Sequence, residues 1–168
     1  MEKTRIEENS TGLLKVELNS YGDYIVLTAD NPLLFDNFTA GFKHISDLAD
    51  EIPAKLDEIE NRYFGKDDFN SAMDKSLEMS KVNVQFSKDA VSVIDSIFGD
   101  GTVKKYFRNI IEEIPDFLPD VDCILDFFDK ITPEMEKLFN RKVEERKKRS
   151  KERMAKYQPQ DHRKPVSK

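Results

Sequence analysis

Apolar and polar residues alternate near the start of the chain and recur at helical spacing afterwards. Leu14, Val16 and Leu18 alternate with charged residues, which is the period of a half-buried strand. A turn-forming segment follows at residues 19–23, and a second β-prone run comes after it. The pattern predicts a β-hairpin over residues 13–28. We expect this hairpin to pack on helices, because two strands alone are marginally stable in water.

From residue 33 onward the apolar positions repeat in steps of three and four, which predicts helices. Pro53 is expected to kink a helix or to begin a new one, and Thr132 with Pro133 is expected to cap and begin a final helix. The predicted class is therefore mainly α with a small N-terminal β-hairpin, an α+β helical bundle with a charged C-terminal helical arm.

A long helix is predicted to begin at Asp67 or Asp68 and to end at Gly99. Its apolar residues fall at helical spacing. These residues are Phe69, Met73, Leu77, Phe86, Ala90, Ile94 and Phe98.

A tight helix-to-helix corner is predicted where this helix ends. Glycine adopts the positive φ that closes a helix without steric cost, so Gly99 is expected to end the helix. Thr102 is the expected N-cap of the next helix, and Asp100 is expected to favour its positive end. The predicted corner consists of Phe98, Gly99, Gly101 and Thr102. We expect Ile94, Ile97, Phe98 and Phe107 to pack together around it.

Charge is distributed unevenly along the 168 residues. The total net charge is −6. Residues 141–168 hold 12 basic and four acidic residues, a net charge of +8, whereas the rest holds 15 basic and 29 acidic residues, a net charge of −14. The chain thus divides into a flexible N-terminus (1–12), a single folded domain (13–143) and a basic arm (144–168), which is expected to be helical at first and then disordered.

Three roles remain open for the basic arm. It can be a solvated helical extension, a protein-docking element, or a nucleic-acid contact through phosphate neutralisation. Interleaved glutamates, a single aromatic residue for stacking and the acidic body make nucleic acid the least favoured of the three.

Residues suited to catalysis are few. His44 has Asp47 as a predicted surface partner, and His162 lies in the polar C-terminal tail. Cys123 is the only cysteine, and acidic neighbours would raise its pKa. The acidic residues between 116 and 129 lack the order of a calcium-binding loop and predict a solvated helix start. We therefore expect no enzyme activity, no catalytic residues, no metal and no cofactor.

A run of residues around the predicted corner carries a family resemblance. The segment 97–102 reads Ile-Phe-Gly-Asp-Gly-Thr, and a lysine pair and Phe107 follow it. A later helix with aromatic and leucine side chains runs into a basic stretch that ends in Lys156 and Tyr157. This order of features over residues 68–157 resembles the tail assembly chaperones of long-tailed, siphovirus-type phages and prophages of Gram-positive bacteria.

The resemblance implies a non-catalytic assembly factor. Such proteins bind and solubilise the tape measure protein, help to recruit tail tube subunits, and leave before the virion is finished. It implies tape measure and tail tube proteins as partners, allows self-association, and places the chain in the host cytoplasm, with no membrane contact. The alternative is a small nucleic-acid-associated regulatory protein that uses the basic arm.

The expected partner-binding residues lie on the last helices and the arm. They are Phe127, Phe128, Leu138, Phe139, Arg146, Lys147, Lys148 and Arg149.

Overall fold

The computed structural model describes residues 6–8 and 13–157. In this part of the chain, three strands precede five helices. The strands are β1 (Ile6–Glu8), β2 (Leu13–Glu17) and β3 (Tyr24–Thr28). The helices are α1 (Pro32–Arg62), α2 (Phe69–Phe98), α3 (Thr102–Tyr106), α4 (Arg108–Glu113) and α5 (Val121–Tyr157). The mainly helical class with a small antiparallel sheet is confirmed.

The sheet contains the predicted hairpin and one additional strand. β2 pairs with β3 in antiparallel register, with Leu14 opposite Leu27 and Val16 opposite Ile25. These four side chains are buried because alternate residues of a strand point to the same face. β1 pairs antiparallel with β2, although the sequence analysis places residues 6–8 in a flexible N-terminus. The sequence does not predict β1, because its residues are mostly polar and the strand forms by backbone pairing with β2.

The long antiparallel pair of α1 and α2 forms the frame of the molecule. Asn31 caps α1 by accepting a hydrogen bond from the Leu33 amide at 3.1 Å, and Asp68 caps α2 by accepting one from the Ser71 amide at 3.0 Å. An ion pair between Glu60 and Lys75 joins the end of α1 to the start of α2. Local capping therefore sets where each helix begins, as predicted for α2.

Both internal prolines lie within continuous helices, so the new helix predicted at Pro133 is wrong, and of the two alternatives at Pro53 a new helix is excluded. Pro53 lies inside α1 and Pro133 lies inside α5. Each proline is exposed, so water can reach the carbonyl group that loses its hydrogen bond. The neighbouring Ile52 and Ile131 are buried in the core, and this packing stabilises the continuous helix at each proline.

The corner between α2 and α3 has the predicted glycines but a different cap. Gly99 has φ +112° and Gly101 has φ +79°. Thr102 is buried, and its hydroxyl donates to the Gly99 carbonyl at 2.7 Å. The cap assigned to Thr102 is instead supplied by Asp95 from the preceding helix, whose carboxylate accepts from the Gly101 and Val103 amides at 3.2 and 3.1 Å.

Side chains around the corner enter the core as predicted. Ile94 and Phe107 are buried, and Ile97 and Phe98 are partly buried against the same core. The Phe98 ring meets the Phe127 ring of α5 edge-on, with 5.8 Å between centroids.

A polar cluster fastens the hairpin turn to α4. Arg108 pairs with Asp23 and with Glu112, at 3.0 and 3.1 Å, and its guanidinium lies over the Tyr21 ring. The Tyr21 hydroxyl donates to Glu112 at 2.8 Å. Hydrogen bonds from Asn19 and Arg108 lower the pKa of Asp23. The sheet is thus joined to the helices through its polar turn as well as through its apolar face.

We predict that Gly99→Ala lowers the free energy of unfolding by about 1–3 kcal/mol, because φ +112° with ψ 152° is accessible essentially to glycine alone. No atom lies within 4 Å of the added methyl group, so backbone strain is the cause. Chemical denaturation measures the change, and Ser96→Ala, on an exposed helical position, is the control. Unchanged stability of Gly99→Ala would contradict the assigned backbone conformation.

Candidate partner-binding surfaces

The outer part of the α1–α2 pair projects beyond the covered core. We call residues 50–85 the distal hairpin. Within it, α2 has no buried residue before Phe86, and α1 buries Ile52 and Ile59 against its partner helix. This part of the pair is therefore a two-helix projection with most of its surface open to solvent.

One face of α2 in the distal hairpin is apolar and exposed. Phe69, Met73, Leu77 and Val84 recur at intervals of four, four and seven residues and thus lie on one side of the helix. Their exposed fractions are 76, 56, 56 and 37%. We call these four residues the apolar stripe. Phe64, in the loop at the tip, is 88% exposed and adds to the apolar surface there.

The apolar stripe continues a face that is covered further along α2. Ile94 and Phe98 lie on the same side of the helix, and there Ile94 is fully buried and Phe98 contacts Phe127 of α5. Phe69, Met73 and Leu77 follow the same helical periodicity as these covered residues, but in the structure they are exposed. Periodicity identifies an apolar face, whereas burial requires a second element, and the contacts of α5 with α2 lie at the other end.

The aromatic residues predicted to bind a partner are mostly part of the core. Phe127, Phe128 and Leu138 are exposed by 3% or less, so their side chains are not accessible to a partner. Phe139 is 48% exposed, with its ring edge-on to Phe35 at 5.0 Å. Three of the four are therefore corrected from binding residues to core residues, because α5 lies across the α1–α2 pair with these side chains inward.

The basic arm begins as an uninterrupted helical extension of α5. Every residue from 144 to 157 is exposed. Lys142, Arg146, Arg149 and Arg153 lie on one side of this helix and, with Ser150, line an open surface depression of about 400 Å³. We call these four cations the basic face. The predicted Lys147 and Lys148 point away from it, and the predicted disordered segment 158–168 lies outside the described residues.

The basic face is attached to the body through Asp30. The Lys142 ammonium donates to the Asp30 carboxylate, and the Lys142 side chain is only 13% exposed. This hydrogen bond, the charge of Lys142 and then the charge of Arg149 lower the pKa of Asp30. Asp30, in the turn before α1, thus binds the part of α5 from which the arm extends.

The structure describes the surroundings of two side chains that were considered for catalysis, His44 and Cys123. Asp47, the predicted partner of His44, instead pairs with Lys43 at 2.9 Å. Burial, followed by the hydrogen bond with Asp120, raises the pKa of the Cys123 thiol. Asp120 accepts a hydrogen bond from the Cys123 amide at 2.9 Å, which places it at the start of α5 as an acidic cap.

Two further features, a metal-binding cluster and a membrane-spanning helix, are absent from the described residues. These residues contain no group of three or more His, Cys, Asp or Glu side chains arranged to hold a metal ion. None of the described helices has an apolar stretch that could cross a bilayer.

Comparison with known proteins found no relative. No family model, curated protein or solved structure matches the chain.

We predict that Lys142→Met raises the pKa of Asp30 toward its usual value of about 3.9, because the substitution removes the main hydrogen bond to the carboxylate. A folded pKa below the unfolded one stabilises the protein above the unfolded pKa, and this contribution disappears as the pH falls through the folded pKa. An NMR titration of Asp30 measures the shift. Lys147→Met is the control, and an Asp30 pKa that is equal in the wild type and in Lys142→Met would contradict the pairing.

Proposed function

We propose that the protein is a non-catalytic tail assembly chaperone that binds and solubilises a tape measure protein and helps to recruit tail tube subunits. The observation that carries the proposal is the apolar stripe, a row of large side chains left open on a projecting helix. Soluble proteins rarely expose contiguous apolar surface unless it serves an interaction. The resemblance of the corner and the arm to these chaperones supplies the identity of the partner.

The shape of the stripe favours a helical partner. From Phe69 to Val84 it extends about 22 Å along α2, which matches about four turns of a second helix. Amphipathic helices are bound through apolar residues at spacings of three and four, as in other helix-in-groove complexes. A helical segment of the tape measure protein therefore fits this surface.

The composition of the stripe suits a partner with a long and variable sequence. Methionine is unbranched and polarisable, and it adapts to irregular partner surfaces. Phenylalanine contributes a large buried area with little conformational freedom to lose. Met73, between Phe69 and Leu77, thus gives the stripe tolerance for different apolar sequences along one extended client.

The division of the molecule agrees with this role. The core extends from the covered half of the α1–α2 pair as far as Ile52, whereas the apolar stripe is exposed, so partner binding on the stripe requires no opening of the core. The exposed, charged arm adds solubility and a second surface for contacts with other proteins. We further propose that the chain acts in the cytoplasm of the bacterial host and is absent from the finished virion.

The alternative of a nucleic-acid-associated regulator would depend on the basic face. Arginine side chains there can bind phosphates, and phosphate contacts make affinity fall steeply as salt rises. Binding through the apolar stripe depends little on salt. The proposed function has the apolar stripe in its favour, since nucleic-acid binding would leave that surface unexplained.

We predict that Met73→Ser combined with Leu77→Ser abolishes the solubilising effect on a co-expressed tape measure protein. Both residues are exposed, so each substitution should change the free energy of unfolding by no more than about 0.5 kcal/mol. The measurement is the soluble yield of the tape measure protein, together with the thermal unfolding of the purified variant.

The matched control combines Leu33→Ser and Ile114→Ser, two substitutions at residues that are 60 and 50% exposed elsewhere on the surface. The control is expected to keep the tape measure protein soluble. Equal yields with the stripe variant and the control would contradict the assigned surface, and no effect of the wild type on the yield would contradict the chaperone function itself.

A further inference from the structure

The molecule carries opposite charges at its two ends. Phe35 of α1 contacts Phe139 of α5, and Phe42 contacts Phe128, so α5 runs antiparallel to α1. The C-terminal part of α5 therefore extends past the start of α1, whereas the distal hairpin extends in the opposite direction. Residues 142–157 hold eight basic and three acidic residues, a net charge of +5, and residues 50–78 hold nine acidic and four basic residues, a net charge of −5.

Three arginines lie together on one side of the extending helix. Arg146, Arg149 and Arg153 share the basic face with Lys142, whereas the other side carries Lys147, Lys148 and Lys151. Glu145 and Glu152 lie at the border of the basic face, four and three residues from Arg149. Arginine binds carboxylates through two parallel hydrogen bonds, which lysine cannot form. The three arginines thus favour the binding of carboxylates or phosphates on the basic face.

A matching row of carboxylates lies on α1 at the other end of the molecule. It occupies the side of the helix turned away from the buried Ile45, Ile52 and Ile59, and every member is exposed. We call this row the acidic face. Its members are Asp47, Asp50, Glu51, Asp57 and Glu58.

The acidic face keeps unpaired charge and has the length of the basic face. Lys43 pairs with Asp47 and Lys55 with Glu51, while Asp50, Asp57 and Glu58 have no ion pair within the described chain. The row spans residues 47–58, and the basic face spans residues 142–153. Each therefore extends about 17 Å along its helix.

We propose that the basic face of one molecule docks on the acidic face of a second copy, so that molecules associate head to tail. The two faces of one chain lie at opposite ends of the molecule, so they cannot meet within the same molecule. Because the two faces are different surfaces, the contact is heterologous, and repetition gives a ring if it closes or an open chain if it does not. The apolar stripe lies on α2 and remains free for a partner.

Exposed ion pairs are individually weak, so the association depends on several pairs acting together and on salt. Charges interact over about 30 Å at 0.01 M salt and over about 3 Å at 1 M salt. Sedimentation velocity of the full chain over a range of protein concentrations should show oligomers of increasing size at about 0.01 M salt and monomers at about 1 M salt.

Neutral substitutions at each end test the two faces separately. Arg146→Gln with Arg149→Gln and Arg153→Gln should lower the association constant by about tenfold or more. The control, Lys147→Gln with Lys148→Gln and Lys151→Gln, makes the same charge change on the other side of the helix and should associate like the wild type.

The acidic face has its own matched pair of variants. Asp50→Asn with Asp57→Asn and Glu58→Gln should lower the association constant by a similar factor. The control, Asp126→Asn with Asp129→Asn and Glu136→Gln, neutralises three exposed acidic residues on the body of α5 and should associate like the wild type.

Mixing the two disabled variants gives the sharpest result. Each variant keeps one intact face, so the mixture should form one-to-one dimers that grow no further, while each variant alone remains monomeric. Circular dichroism of every variant checks that the helices are retained.

Three results would overturn the proposal. They are a wild type that stays monomeric at low salt and high concentration, an arginine variant and a lysine control that associate equally, and a mixture that does not dimerise. Binding of a mixed-sequence DNA duplex that is lost in the arginine variant, by a wild type that does not self-associate, would instead assign the basic face to nucleic acid.

Discussion

The close packing of α1 against α2 is the constraint on which the rest of the structure depends. Gly41 lies at the interface, where a Cβ atom would be 2.5 Å from the Ile97 side chain and 3.0 Å from that of Val93. The missing side chain allows the two helices to approach at this point. Phe38, one turn earlier, then contacts Phe98 of α2 and Phe128 of α5, with centroids 6.2 and 5.9 Å apart. Three helices are thereby joined around one aromatic cluster.

The position of this cluster explains the uneven burial of the molecule. α5 and the sheet pack on the half of the α1–α2 pair that surrounds it, and the distal hairpin receives no further layer. A stable core and an open apolar stripe therefore coexist on the same two helices. The proposed binding of an apolar client depends on this combination. If the binding residues were part of the core, exposing them to a partner would destabilise the fold.

The two ends of the molecule differ in the interactions they favour. The distal hairpin combines an apolar side on α2 with an acidic side on α1, whereas the extension of α5 is polar and carries three arginines on one side. The apolar surface is suited to salt-insensitive contact with a client, and the charged faces are suited to weak, reversible contact between copies. In the proposed function, client binding and self-association would use separate helices and would not compete.

The sequence by itself determined the features that depend on neighbouring residues. Alternation predicted β2 and β3, the period of three and four predicted the helices, and Asp68 and Gly99 marked the ends of α2, because each signal acts within one or two turns of chain. The polar β1 strand gave no such signal. At Pro53 and Pro133 the local preference of proline to end a helix does not decide the structure. Core packing on either side of each proline stabilises a continuous helix.

Only the tertiary structure decided which faces are covered. Phe69 and Ile94 belong to the same apolar side of α2, yet one is 76% exposed and the other is fully buried. Phe128 and Phe139 have similar sequence surroundings, yet the first lies in the core and the second near its edge. Whether a side chain is buried depends on whether an element distant in the sequence extends far enough to cover it. No local pattern of residues encodes that.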